Sequence, residues 1–217
     1  MPEEIYCKSD MEYRYWGGKI KQDPKLDCRW FEWLYAGIFG YTRFDYKGMR
    51  VLDIGPGPRD TLAWLKGIAS EIVGLDPLND KYENLRSEYN LPKRVMKLVT
   101  APAEKIPFKD SYFDLVCMCN AFDHVDDQRE TVREICRVLR PGGRLLLLVE
   151  ACGHLPYPHE PNPVDWSCAE KFFPTMKTLQ KVCHRWHPGL HTSVFEGIYD
   201  DPTDRDHGLL VVEMENV

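Results

Sequence analysis

The segment Val51-Leu-Asp-Ile-Gly-Pro-Gly-Pro58, an apolar run that stops at an acid and opens into a glycine turn, constrains the fold more than any other part of the chain. A buried strand of this kind delivers Asp53 to the carboxyl end of a sheet, and Gly55 and Gly57 let backbone pack where a Cβ would collide with a ligand. The pattern reads as the first strand and cofactor loop of a nucleoside-binding α/β domain. Pro56 and Pro58 lack the N–H groups that a phosphate-binding turn aims at its anion, and Asp60 adds negative charge where a pyrophosphate would sit. Asp60 also stands where the third glycine of a G-x-G-x-x-G dinucleotide turn belongs. The loop therefore suits a nucleoside without phosphates and disfavours a dehydrogenase.

From Met49 onward strand and helix patterns alternate, the signature of a parallel sheet. Strands are expected at 50–54, 71–75, 94–99, 114–119 and 144–149, with helices at 61–66, 80–89 and 129–139. Asp60 or Thr61 is the expected cap of the first of these helices, and Gly67 lies near its end. Residues 166–182 read as mainly helical, with Pro174 a point of division, and 191–198 and 208–213 as two closing strands. Periodicity alone gives an α/β fold of alternating strands and helices.

Residues 1–45 are rich in aromatic side chains, with helical spacing from Leu26 to Phe39 and a break expected at Gly17-Gly18. They are expected to form either a helical cap on the sheet edge or a lid lining an acceptor pocket, and 46–217 the cofactor-binding domain. With 217 residues and a net charge of −6, the chain fits one soluble domain with no basic footprint for a nucleic-acid backbone. There is no apolar run of the roughly 18 residues a membrane span needs, and the opening Met-Pro-Glu-Glu is acidic, so a cytoplasmic protein is expected. The eight cysteines read as reduced and mostly buried, since Cys117, Cys119 and Cys136 fall in apolar strand-like or helix-like runs.

The loop and the strand before it resemble motif I of the class I S-adenosylmethionine-dependent methyltransferases, D-x-G-x-G-x-G, with Arg59 in place of the last glycine. Asp76 ends Gly-Leu-Asp-Pro about 20 residues further on, where a carboxylate can accept hydrogen bonds from both ribose hydroxyls. The string Ala103-Glu-Lys-Ile-Pro-Phe108, followed by Asp110-Ser-Tyr-Phe-Asp114, resembles the A-E-x-L-P-F-x-D-x-x-F-D block of ubiquinone-biosynthesis-like (type 11) methyltransferases. Ala121-Phe-Asp-His-Val-Asp126 and Arg137-Val-Leu-Arg-Pro-Gly-Gly143 resemble that family's H-x-x-D and R-V-L-x-P-G-G segments. These blocks run in order over about residues 49–150, and the resemblance implies a Rossmann-like, doubly wound α/β fold with a mostly parallel seven-stranded sheet and an antiparallel C-terminal hairpin. The resemblance implies S-adenosylmethionine as cofactor, held by Asp53, Gly55, Gly57 and Asp76, with Ala103 and Glu104 along the adenine edge and Asn120 and Ala121 beneath the nucleoside. It implies methyl transfer, for which a small-molecule acceptor is expected. Methylation of a protein or nucleic acid is the alternative, although Asn120-Ala-Phe-Asp123 stands where the exocyclic-amine nucleic-acid enzymes carry Asn-Pro-Pro-Tyr; a non-catalytic binding protein is a third reading.

His124 lies beyond the fourth strand, where a doubly wound sheet places its ligand, and is either a proton acceptor or a loop histidine packed against the cofactor. Asp123, Asp126 and Asp127 are expected to cap the following helix. After the fifth strand, Glu150 to Pro161 is proline-rich and semi-rigid, with His154, Tyr157, His159 and Glu160 the side chains available to an acceptor pocket and His154 and His159 further catalytic candidates. Cys183-His184-x-x-His187-x-x-x-His191 has no standard metal-finger spacing, and histidines at a helix C-terminus are the ordinary explanation, so no metal is expected.

Overall fold

The computed structural model describes residues 7–22, 30–151, 161–185 and 208–217. Its elements are α1 (Lys8–Gln22), α2 (Trp30–Tyr35), β1 (Arg50–Ile54), β2 (Glu71–Leu75), α3 (Asn79–Glu88), β3 (Lys97–Val99), β4 (Phe113–Cys119), α4 (Gln128–Val138), β5 (Leu139–Ala151), α5 (Cys168–Phe172), β6 (Met176–Arg185) and β7 (Gly208–Asn216). The strands form one sheet in the order β3-β2-β1-β4-β5-β7-β6. β3, β2, β1, β4 and β5 are parallel, whereas β7 runs antiparallel to both β5 and β6. The strand order reverses between β1 and β4, which opens a crevice at their carboxyl ends.

Alternation along β1 divides its side chains between two cores. Leu52 and Ile54 join Val73, Val116, Met118 and Leu147 on the face covered by Ile135 and Val138 of α4. Val51 joins Leu115, Cys117, Leu146 and Leu148 on the other face, which is covered by Phe31, Leu34 and Tyr35 of α2 and by Phe39 and Tyr46. The aromatic segment thus covers a face of the sheet and not merely its edge. Glu213 of β7 is fully buried there; it accepts hydrogen bonds from Tyr41 at 2.9 and 3.0 Å, from Arg144 at 3.0 Å and from Gln180 at 3.1 Å. This network ties the N-terminal segment to three strands.

Several local expectations give way to tertiary contacts. Only a single 3-10 turn, Ala63–Leu65, occupies the expected helix at 61–66. Its would-be caps are engaged elsewhere: Asp60 accepts from the Val95 N–H at 2.8 Å, and Thr61 donates to Asp53. Held at Val95 and by the inward-turned Arg94, the third strand begins only at Lys97. α1 runs through Gly17-Gly18 without a break, since neither glycine adopts positive φ. The helix expected over 166–182 is confined to Cys168–Phe172; after Pro174 the chain becomes β6 and pairs with β7 from Met176 to Arg185. Pro141-Gly142-Gly143 ends α4 as expected but lies within β5, where the register against β4 shifts; a Cβ on Gly143 would sit 2.8 Å from the Arg140 carbonyl oxygen. The strand expected at 191–198 lies outside the described residues.

Among the described residues, no helix is long and apolar enough to cross a membrane. Cys7, Cys117, Cys119, Cys136, Cys168 and Cys183 are free thiols.

Candidate cofactor and active site

Asp53 points to the α2 face of β1 near the strand's carboxyl end and is almost wholly buried. Tyr35 donates to its Oδ1 at 3.1 Å and Thr61 to its Oδ2. Burial nevertheless dominates and raises its pKa to about 7, with the charge of Asp76 adding to the rise. Asp76, just beyond β2, accepts from the Gly57 N–H at 3.2 Å and from the Leu78 N–H at 2.8 Å. Its pKa is likewise raised by burial, to about 6, against the effect of those donors and of Arg94. The two acids meet at the glycine turn.

The turn has specific reasons for its glycines. Gly55 has φ 70° and Gly57 φ 59°, a region costly for residues with a Cβ. A Cβ on Gly55 would fall 2.4 Å from that of Ala121, and one on Gly57 would lie 3.0 Å from the Trp16 indole. The turn's outward carbonyls are satisfied by two buried arginines that sequence inspection had not singled out. Arg86 donates to the Pro58 carbonyl at 2.6 Å, and Arg94 donates to those of Gly57 and Arg59 at 2.7 and 3.3 Å and to Asn79 at 3.0 Å. The prolines offer a hint, since a turn poor in N–H donors still presents carbonyls that need partners.

Ala103 is buried in the core. Glu104 accepts from the backbone N–H groups of Asp126 and Asp127, at 2.7 and 3.0 Å, and so clamps the loop after β4. Asn120 adopts φ 45° and its side-chain oxygen accepts from the Glu150 N–H at 3.1 Å, joining the ends of β4 and β5. Ala121 lies against Gly55. Asp127 caps α4 by accepting from the N–H groups of Arg129 and Glu130, at 2.9 and 3.0 Å, an arrangement worth about 1 kcal/mol.

α1 lies across this end of the sheet with a contact stripe at every fourth residue. Lys8 pairs with Asp126 at 2.8 Å, Glu12 with His124 at 3.0 Å, Trp16 packs on Gly57, and Ile20 packs with Leu85 of α3. Arg59, in the position of the missing glycine, sets its guanidinium 4.7 Å from the Trp16 ring and 5.7 Å from that of Phe31. The i, i+4 spacing of Glu12, Trp16 and Ile20 is the signal by which this stripe could have been found.

Acidic groups gather at this end of the sheet: Asp53, Asp76 and Glu12 interact through their charges, and Asp123 Oδ2 lies 3.9 Å from His124 Nε2. Pro56 and Pro58 offer no N–H donors to a pyrophosphate. Residues 52–147 match the protein family described as "Methyltransferase domain". The match covers less than half of the chain and marks a region similar to a methyltransferase domain.

The domain is 36% identical over 104 residues to the ubiquinone/menaquinone biosynthesis C-methyltransferase UbiE of Laribacter hongkongensis, a match covering 46% of this chain and 43% of that protein. It is 38% identical over 107 residues to UbiE of Ectopseudomonas mendocina, covering 46% and 41%. The chain thus spans less than half the length of these relatives. In fold it is similar to the methyltransferase in the Haloferax volcanii complex with the Trm112 methyltransferase activator, with a TM-score of 0.66, 17% identity, and coverage of 94% of this chain and 97% of that one. The match to a methyltransferase domain supports S-adenosylmethionine as the cofactor. His154 and His159 lie outside the described residues, as do His187 and His191 of the cysteine–histidine segment; Cys183 is exposed on β6.

Proposed function

We propose that the protein transfers a methyl group from S-adenosylmethionine to a small-molecule acceptor, and that residues 7–22 act as the roof of the site. The observation that carries this reading is the convergence of Asp53, the Gly55–Gly57 turn, Asp76 and His124 beneath α1. In this reading Asp76 receives the ribose hydroxyls, Gly55 and Gly57 admit the cofactor close to backbone, and Asp53 acts through the shape and charge of the turn. Ala103, Glu104, Asn120 and Ala121 border the adenine, with backbone groups making the contacts, because the Glu104 and Asn120 side chains already serve the loops. The sulfonium brings an activated methyl group, so the chain's main task is to align the nucleophile in line with it. His124 takes the acceptor's proton where the acceptor must lose one, and His154 and His159 are further candidates for that end of the site.

The names of the relatives support a quinone-type ring as acceptor, methylated at carbon. The test is incubation with methyl-labelled S-adenosylmethionine and a panel of hydroquinones, phenols, amines and thiols, with products identified by mass spectrometry. Labelled product from a hydroquinone, abolished in His124→Ala, is the expected result. Transfer to none of the panel, by folded protein that binds the cofactor, would overturn the small-molecule reading.

A further inference from the structure

We propose that Arg94 is a positioning residue for the cofactor: without reaching it, the guanidinium holds Gly57 and Asp76 in the arrangement that receives the ribose. This rests on the reading of Asp76 as the ribose ligand. Arg94 lies between α3 and β3, and its side chain is 1% exposed. Nη1 donates to the carbonyls of Gly57 at 2.7 Å and Arg59 at 3.3 Å, Nη2 to Asn79 Oδ1 at 3.0 Å, and Nε to Glu83 Oε1 at 2.9 Å. A planar fork that donates in several directions fixes its acceptors relative to one another, which a flexible ammonium does not.

The turn needs such a grip. Glycine takes positive and negative φ about equally, so the φ of 59° at Gly57 is set by its contacts. Where a glycine turn opens directly into a helix, the carbonyls from the N-cap onward enter the helix ladder. Here a single 3-10 turn at Ala63–Leu65 follows, and side-chain donors serve the carbonyls instead. Arg94 takes the Gly57 carbonyl, while the Gly57 N–H donates to Asp76 Oδ2 at 3.2 Å, so this glycine is held at both of its polar groups. Asn79, whose oxygen faces Arg94, donates from Nδ2 to the Gly74 carbonyl at 3.1 Å and the Val99 carbonyl at 2.9 Å; the Asp76 N–H donates to the same Val99 carbonyl at 3.1 Å. One buried guanidinium thus connects the turn after β1 with the ends of β2 and β3, where Asp76 is anchored.

Arg94 also acts on Asp76 through its charge. The charged and titratable groups around Asp76 are Asp53 of β1, Glu12 of α1, Tyr82 of α3 and Arg94. Burial raises the Asp76 pKa to about 6 and Glu12 adds to the rise, whereas the Leu78 and Gly57 N–H groups and Arg94 oppose it. Of those four groups Arg94 is the cation. Without it Asp76 ionises at higher pH, and binding that needs the ionised carboxylate moves with it.

The test is calorimetric titration of the full-length protein with S-adenosylhomocysteine from about pH 5 to about pH 9, a range that spans the titration of Asp76 and Asp53. Arg94→Met is expected to weaken binding about tenfold and to move the pH midpoint of binding up by about one unit. In an Asp76→Asn background, which lacks the acid on which Arg94 acts, the same substitution leaves the midpoint in place. Arg94→Lys, which keeps the charge and loses the fork, weakens binding about fivefold at an unshifted midpoint. A folded Arg94→Met with wild-type affinity and midpoint overturns the assignment, and so does weaker binding at an unshifted midpoint, the mark of a merely structural role. Should Arg94→Met fail to fold, Arg94→Lys decides: weaker binding at an unshifted midpoint supports the assignment, and wild-type affinity overturns it. Wild-type protein that binds no S-adenosylhomocysteine would sink the cofactor reading itself, whereas binding weakened by Asp76→Asn beside binding unaffected by Arg94→Met sinks only the role of Arg94.

Discussion

Gly55 faces Ala121 so closely that a Cβ on residue 55 would lie 2.4 Å from the Ala121 Cβ. The contact joins the turn after β1 to the loop after β4, the two segments bordering the crevice where the strand order reverses. Neither atom belongs to a flexible side chain that could swing away.

Gly55→Ala is therefore expected to destabilise the protein by about 2–4 kcal/mol, combining the cost of positive φ with overpacking. Gly55→Ala with Ala121→Gly should recover the steric part and leave about 1–2 kcal/mol. Urea denaturation of the four members of the cycle measures this. Strict additivity would show that the two residues do not meet.

Asp76 supports the turn through the Gly57 N–H and is the residue proposed to receive the ribose hydroxyls. Asp76→Ala should weaken S-adenosylmethionine binding by about 1–3 kcal/mol, the range for hydrogen bonds to a charged group. S-adenosylhomocysteine, with the same ribose, should lose a similar amount. Equal affinity for wild type and a folded variant would remove Asp76 from the cofactor site.

The raised pKa values of Asp53, about 7, and Asp76, about 6, give the ligand-free protein a defined pH dependence. Unfolded carboxylates titrate near about 4, so between there and pH about 7 the folded state binds more protons than the unfolded one. Stability from these groups is full below that window and is lost as pH rises through it. Asp53→Asn should flatten the upper part of the decline in thermal scans. A cationic cofactor favours both ionised carboxylates, so its binding should release protons at pH values near 6–7, seen by calorimetry in buffers of different ionisation heat. Proton uptake would contradict this.

Glu213→Ala should cost about 3–5 kcal/mol, because it leaves Arg144 without its buried counter-charge. Tyr41→Phe removes one neutral donor to the same carboxylate and should cost about 1 kcal/mol. Chemical denaturation distinguishes the two; equal small losses would mean that the network is not what anchors the N-terminal segment.

The parallel half of the sheet was legible because its strands are apolar runs closed by acids or glycines, and Arg50–Ile54 and Glu71–Leu75 fall where the pattern placed them. The C-terminal half was not, because β6 is an edge strand whose mixed polar sequence also fits a helix, and only pairing with β7 decides between them. Asp53, the glycines and Asp76 were visible from type and spacing as candidates, and the structure gathers them at the turn after β1. Arg86 and Arg94 were not, since each acts through a partner distant in sequence: the Pro58 carbonyl and the Gly57 carbonyl.

The most direct test of the account is calorimetric titration of the intact protein with S-adenosylmethionine, S-adenosylhomocysteine and NAD. One saturable site for each adenosyl compound and none for NAD is the predicted result. Verified folded protein that binds neither adenosyl compound, or that binds NAD as well as them, would contradict it.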